Sequence, residues 1–121
     1  MTRSCIANLF IQKSGHPDDE IVILTSNVPG MYKIVYKPND SVRGSKYSFF
    51  MSQERVMDYI ANVLRTLSAD IEPFHYIQLQ AMTAPSVIYN IGDLEDRDVR
   101  HDIMDAIRYA LEAHPTKNET T

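Results

Sequence analysis

The sequence predicts an α+β protein, a two-layer fold in which an antiparallel sheet has two helices on one face and the elements follow the order ββββαββα. Three observations lead to this prediction. Six short segments show the period-two alternation of a strand or are apolar throughout, two longer segments repeat apolar residues at spacings of three and four, and the connections are short. Short connections favour antiparallel neighbours, and a helix with a single apolar stripe needs a sheet to cover that stripe.

The first half of the chain predicts four strands. Residues 5–12, CIANLFIQ, alternate in polarity, which is typical of a strand with one packed face. Residues 20–26, EIVILTS, are almost continuously apolar and predict a central strand covered on both sides. The sequence VPGM at 28–31 matches a type II turn, because proline fixes the first central residue and glycine supplies the positive φ of the second. Residues 31–37 and 46–51 then predict strands three and four.

The rest of the chain predicts a helix, a hairpin and a second helix. Ser52 is the expected N-cap of the first helix, since its hydroxyl can accept a hydrogen bond from a free amide. The apolar stripe of this helix consists of Val56, Ile60, Val63, Leu64 and Leu67. Residues 73–91 predict a hairpin with its bend at 83–85. Asp93 is the expected cap of the last helix, and Pro115 is expected to end it. The stripe of this second helix consists of Val99, Ile103, Ile107, Ala110 and Leu111.

Length and composition fit one domain. A chain of 121 residues with 44% hydrophobic residues can bury roughly two-thirds of its unfolded surface. We therefore expect a single α+β domain over residues 1–115, followed by a flexible tail at 116–121. Cys5 is the only cysteine, so an internal disulfide is excluded, and no apolar run reaches the length of a membrane span. These features favour a cytoplasmic protein, and nothing in the sequence indicates a cofactor.

The candidates for catalysis or metal binding are few. The chain contains no nucleophile motif and no phosphate-binding loop of known spacing. His75 falls on the apolar side of the predicted hairpin, where a hydrogen-bonded structural histidine is favoured over a catalytic one. His101 and Asp105 are one helical turn apart, a spacing at which two ligands can share a metal, but a solvated helix surface explains them as well. We therefore assign no catalytic and no metal-binding residue, and a small enzyme with a histidine–carboxylate site stays an alternative.

The uneven distribution of charge suggests a nucleic-acid alternative. The net charge is −4, yet residues 31–65 contain six lysines and arginines against three acids, whereas residues 70–112 contain three against nine. Cations interleaved with aromatic residues are typical of surfaces that bind single strands. The residues of this alternative site are Lys33, Lys37, Arg43 and Lys46. Period two places Tyr32 and Tyr36 on the opposite face from Lys33 and Lys37, and this, together with the overall acidity, disfavours the alternative.

The polar side of the segment from 76 to 82 contains no charge, which favours protein binding. Tyrosine and methionine are enriched at interfaces, and charged residues are depleted at interface centres. The predicted interface comprises Phe10, Gln12, Tyr76, Gln78, Gln80 and Met82. The function that the sequence favours is therefore a small non-enzymatic interaction or assembly module, a homodimer or a subunit of a larger assembly. We expect it to associate through the helix-free face of its sheet, and we expect that face to be uncharged.

The order of strands and helices after the first strands resembles that of the type III secretion chaperones, which are small, acidic and dimeric. The resemblance covers most of the chain and is one of element order. The leading helix of that family is absent from this sequence, and no residue and no function is carried over from it.

Overall fold

The computed structural model describes residues 5–12, 19–38, 46–68, 76–82 and 85–116. Within these ranges the chain forms six strands, two α-helices and a short 3₁₀ helix, and the strands and α-helices follow the order ββββαββα. The elements are β1 (Cys5–Gln12), β2 (Asp19–Leu24), β3 (Tyr32–Lys37), β4 (Tyr47–Met51), α1 (Gln53–Ser68), β5 (Tyr76–Ala81), β6 (Val87–Asn90), the 3₁₀ helix (Ile91–Glu95) and α2 (Arg97–Ala113). The predicted α+β class and element order are confirmed.

All six strands belong to one open antiparallel sheet in the order β4-β3-β2-β1-β5-β6. Although β1 comes first in the chain, it lies inside the sheet, because β2 pairs with one of its edges and β5 with the other. Its register places Leu9 opposite both Ile21 and Leu79. A bulge near the start of β1 inserts Ile6, and this side chain is fully buried.

Both α-helices pack on the face of the sheet to which Leu9 points. Alternate residues of the strands enter the core there, so in β5 Ile77, Leu79 and Ala81 are buried, as the alternation predicts. The helices contribute their apolar stripes to the same cluster, whose helical members are Val56, Ile60, Leu64, Leu67, Ile103, Ile107, Ala110 and Leu111. Each fully buried side chain of this kind stabilises the fold by about 1.5–3 kcal/mol relative to an exposed one. The opposite face of the sheet has no helix among the described residues.

The prediction that the second strand is central is confirmed, and no described helix covers its other face. Strand β2 lies inside the sheet, but only the helix side of Ile21 and Ile23 is roofed by the core. Val22 points to the helix-free face and is only 8% exposed, yet it does not belong to the core cluster. Its neighbours on the adjacent strands are Val35 and Asn8. An apolar run therefore indicated an interior strand here rather than one covered by helices on both faces.

Local signals at two chain reversals are confirmed. At the turn after β2, the amide of Met31 donates to the carbonyl of Val28 at 3.1 Å, and Gly30 has a φ of 75°. This is the conformation that a type II turn requires of its second central residue. At the start of α1, the hydroxyl of Ser52 accepts a hydrogen bond from the amide of Arg55 at 3.3 Å.

The cap of the last helix differs from the prediction. Asp93 lies in the 3₁₀ helix, where its carboxylate accepts from the amide of Asn90 at 3.1 Å. The N-cap of α2 is Asp96, whose carboxylate accepts from the amide of Asp98 at 2.8 Å. Asp96 is therefore the N-cap of α2, whereas Asp93 is the third residue of a 3₁₀ helix whose N-cap is Asn90, and this 3₁₀ turn moves the start of the α-helix by one turn. The helix ends at Ala113, just before Pro115, as predicted.

The two α-helices contain 16 and 17 residues. Neither helix in the described part of the chain has the length and apolarity that crossing a membrane requires. The predicted tail from 116 lies almost wholly outside the described residues, which end at Thr116, so that prediction and the domain limits stay predictions.

Candidate protein-interaction surface

The sheet register brings the predicted interface residues together on the helix-free face. Residues directly opposite each other in an antiparallel pair point to the same face. Phe10 pairs with Gln78, Gln12 pairs with Tyr76, and Asn8 pairs with Gln80. Strands β1 and β5 therefore place five of the six predicted side chains side by side. The sixth, Met82, follows β5 in a turn, where it is exposed and its amide donates to the carbonyl of Ile6 at 3.0 Å.

Strand β6 extends this surface to the edge of the sheet. Ile88 pairs with Gln78 and Asn90 pairs with Tyr76, so both lie on the helix-free face. Ile88 is 63% exposed, which is unusual for an isoleucine in a sheet. We call the helix-free face of β1, β5 and β6 the uncharged patch. Its residues are Asn8, Phe10, Gln12, Tyr76, Gln78, Gln80, Ile88 and Asn90. The sequence prediction did not include Ile88, although alternation from Val87 and Tyr89 could have placed it there.

The expectation that the whole helix-free face is uncharged is wrong. Glu20 pairs with Phe10 and with Lys37, so both charged residues lie on the same face as the uncharged patch. Lys33 lies there as well, opposite Leu24 and Phe50. Lys37 and Glu20 form an ion pair of 3.5 Å. The helix-free face is therefore divided into the uncharged patch and a charged half on β2 and β3. All six strands contribute side chains to this face, because they belong to one sheet.

A chain of hydrogen bonds crosses the boundary between the two halves. The thiol of Cys5 donates to Oδ1 of Asn8 at 2.8 Å, and the amide of Asn8 donates to Glu20 at 3.0 Å. Burial and, to a smaller extent, the charge of Glu20 raise the pKa of Cys5 above its usual value, so the thiol stays protonated at neutral pH and remains a donor. Asn8 is therefore engaged within the fold and contributes shape rather than a free amide.

The remaining amides of the patch differ in how far they are used. Gln78 donates to the hydroxyl of Ser86 at 2.9 Å. Gln80 is exposed, and its amide has no hydrogen-bond partner among the described residues. The patch thus presents the exposed side-chain amide of Gln80 beside half-buried rings and an exposed isoleucine. Such a surface can bind another uncharged, apolar surface, and the side-chain amide of Gln80 can form hydrogen bonds with it.

The basic residues of the nucleic-acid alternative do not form a cluster with the tyrosines of their strand. Lys33 and Lys37 lie on the helix-free face, whereas Tyr32 and Tyr36 face the helices, as the alternation predicts. Lys37 is engaged by Glu20, and Lys46 is exposed just before β4. The fourth residue, Arg43, lies outside the described residues. Among the described residues, the ring directly opposite one of these lysines is Phe50, which pairs with Lys33.

The histidine candidates are not brought together. His75 lies outside the described residues, and His101 is exposed on α2. Asp105 forms an ion pair with Arg108 at 2.9 Å. The described ranges contain no group of three or more histidine, cysteine or acidic side chains that could hold a metal ion. The geometry therefore supports neither a metal site nor a histidine–carboxylate pair at this position.

A cleft lies on the other side of the sheet, between α1 and the ends of β1, β2 and β3. Its volume is about 330 Å³, at the lower end for small-molecule sites. Its lining residues are Ile11, Asp19, Ile21, Tyr36, Tyr59, Asn62, Val63, Thr66 and Leu67. Burial raises the pKa of the Tyr59 phenol, which keeps this group neutral. Among the described lining residues there is no histidine, cysteine or serine, and the carboxylate is that of Asp19.

The edge position of β4 is a feature that the sequence did not predict. Strand β4 lies at the edge of the sheet, and Tyr47, Phe49 and Phe50 are 52%, 42% and 45% exposed. The alternation of YSFFM predicts that Phe49 is packed, because it falls on the helix side. The two helices do not reach far enough over the sheet to cover it. An edge position could not be recognised from one sequence, since strand order is not encoded in alternation.

Comparison with known proteins adds no functional assignment to this geometry. No protein-family model, no curated protein and no solved structure matches the chain.

Proposed function

We propose that this chain is a non-enzymatic interaction module that self-associates through the uncharged patch. The observation that carries the proposal is the uncharged row from Phe10 through Gln78 to Ile88, on a sheet face that no described helix covers. Interface centres are depleted of charge and enriched in aromatic and large apolar side chains. The patch has this composition, and within it Gln80 offers an exposed side-chain amide.

A second copy is the partner that suits this surface best. In a two-fold dimer the same patch meets itself, so every side chain near the axis faces its own equivalent. A charged side chain would be repelled there, whereas an amide has both a donor and an acceptor and can pair with an identical amide. Since each copy has a net charge of −4, contact between copies is most favourable where charge is absent.

The size of the face determines how far the contact must extend. Six strands about 4.8 Å apart and about 20 Å long present roughly 600 Å² of flat area, of which the uncharged patch is about half. A standard stable interface buries about 800 Å² on each partner. Both the patch and the whole face are smaller than this, so we expect the contact to extend over the charged half and to be weaker than a standard interface. There Glu20 and Lys37 already neutralise each other and would lie at the polar rim.

The proposal is tested by placing charge at the centre of the patch. The double substitution Gln78→Lys and Gln80→Lys puts four ammonium groups at the two-fold contact, and we expect the mass measured by light scattering at low protein concentration to fall to that of the monomer. The matched control is Ala113→Lys on α2, an exposed position far from the sheet face, which should leave the mass unchanged.

Circular dichroism and thermal unfolding separate loss of association from loss of fold. Gln80 is exposed, and Gln78 loses only its bond to Ser86, so the double variant is expected to fold. A double variant that keeps both its fold and the mass of the unaltered chain would contradict self-association through the patch. So would an unaltered chain that is monomeric at every concentration.

A further inference from the structure

We propose that the outer edge of β4 is a second association site, at which β4 pairs antiparallel with β4 of another copy to continue the sheet. This goes beyond the function proposed above, because it concerns a different strand, a different surface and a different kind of bond. The inference starts from the edge itself. Among the described residues no strand pairs with β4 on the side away from β3.

The edge lacks the features that usually protect a sheet from pairing. Exposed edges are commonly blocked by charges, proline, bulges or very short strands. Strand β4 has the sequence YSFFM, without charge or proline, and its five residues pair with β3 in continuous register. Its side chains are exposed on both faces: Tyr47 and Phe49 on the helix side, Ser48 and Phe50 on the other. A regular, apolar edge of this length is a template for another strand.

The sequence of β4 is self-complementary in an antiparallel pair centred on Phe49. In that register Phe49 faces its own equivalent, Tyr47 faces Met51, and Ser48 faces Phe50 of the other copy. Each pair contains an aromatic ring, and aromatic cross-strand pairs stabilise a sheet. Lys46 falls opposite Ser52 of the other copy, so no like charges are opposed within this span. The absence of charge in the strand therefore fits a second copy as the occupant.

The area available sets the expected strength of this pairing. An aromatic side chain buries about 150–250 Å² when it is fully covered. With 42–52% of each of the three rings exposed, their burial supplies at most about 350 Å² on each copy. This is well below the 800 Å² of a standard interface, so the pairing is expected to be weak and to depend on concentration. Main-chain hydrogen bonds would then supply much of its specificity.

The first test uses a pair of opposite substitutions. Phe49→Lys and Phe49→Glu each place like charges directly opposite each other in the proposed register. We expect each variant alone to weaken the pairing about tenfold, measured by sedimentation over a concentration series. An equimolar mixture of the two variants should regain association, because an ammonium group then faces a carboxylate. Tyr109→Lys is the matched control, since Tyr109 is an aromatic residue of α2 with 62% exposure.

The second test needs no substitution in β4, so it still distinguishes pairing from no pairing if the Phe49 variants fail to fold. Hydrogen exchange of the β4 amides is measured at low and high protein concentration, in the unaltered chain and in the Gln78→Lys, Gln80→Lys variant. Strand pairing protects amides of Tyr47–Met51 as concentration rises, and it does so in both backgrounds. The two proposals can therefore be tested separately. Loss of association in the double variant tests association through the patch, and protection of the β4 amides tests pairing at the edge.

Two results would overturn the edge proposal. One is exchange in β4 that does not change with concentration in either background. The other is a mixture of the Phe49→Lys and Phe49→Glu chains that associates no better than each chain alone.

Discussion

Tyr32 is the residue at which the sheet and the last helix are joined most directly. Its side chain is 1% exposed, and its hydroxyl donates to the carbonyl of Leu111 at 2.9 Å. Burial, followed by the nearby charge of Glu112, raises the pKa of this phenol, so it remains a donor up to strongly alkaline pH. The carbonyl also accepts from the amide of His114 at 3.0 Å. One contact thus fixes the C-terminal turn of α2 against β3.

The substitution Tyr32→Phe measures this contact. The ring remains and fills the same space, and the carbonyl of Leu111 keeps its bond to His114, so no buried acceptor is left without a partner. We expect the free energy of unfolding to fall by about 1 kcal/mol, equivalent to about 4 °C in Tm. Urea unfolding with an unchanged m-value provides the measurement. A loss below about 0.3 kcal/mol would show that the hydroxyl contributes little to the docking of α2.

The start of α2 shows how far an element could be predicted from the sequence. The stripe of Ile103, Ile107 and Leu111 is sufficient to predict the helix, because a spacing of three and four is a local property that does not depend on which elements the helix packs against. The cap was assigned to Asp93, one turn too early. Asp93 and Asp96 are both good capping residues, and local chemistry does not distinguish a 3₁₀ turn from the first turn of an α-helix. The existence of the element could therefore be predicted, but its first residue could not.

Substitution of Asp96 tests the corrected cap. Asp96→Ala removes the acceptor for the amide of Asp98, and the first turn of α2 loses a favourable negative charge. We expect a loss of about 1 kcal/mol in the free energy of unfolding, measured with denaturant. Asp96→Ser keeps an acceptor and should recover most of this loss. Equal losses from both substitutions would indicate that the carboxylate acts through its charge rather than as a cap.

At the scale of the whole molecule, alternation predicts which face a residue joins but not which strands are neighbours. The faces of Leu9, Ile34 and Leu79 follow from period two, and all three are buried as expected. The position of β1 between β2 and β5 depends on pairing across a long stretch of chain, which no local pattern specifies. This is why the charges of Glu20 and Lys37 were not placed beside Phe10, and why β4 was not recognised as an edge.

The strand order predicts a gradient of stability across the sheet. Strand β1 pairs on both edges, and four of its side chains lie in the core. Strand β6 is only four residues long, and three of these residues are exposed. Amides in β1 are therefore expected to exchange with solvent only when the whole domain unfolds, because opening them breaks two ladders and uncovers the core. Amides in β6 are expected to exchange through local opening, at a much lower free energy.

Hydrogen exchange read by NMR checks this gradient, at a concentration low enough to keep the chain monomeric. The exchange free energies of β1 should equal the global free energy of unfolding and should fall with it when Tyr32→Phe is introduced. Those of β6 should stay nearly unchanged by the same substitution, since local opening of that edge leaves the bond between Tyr32 and Leu111 intact. If β6 instead followed β1 in both respects, the sheet would open as one unit.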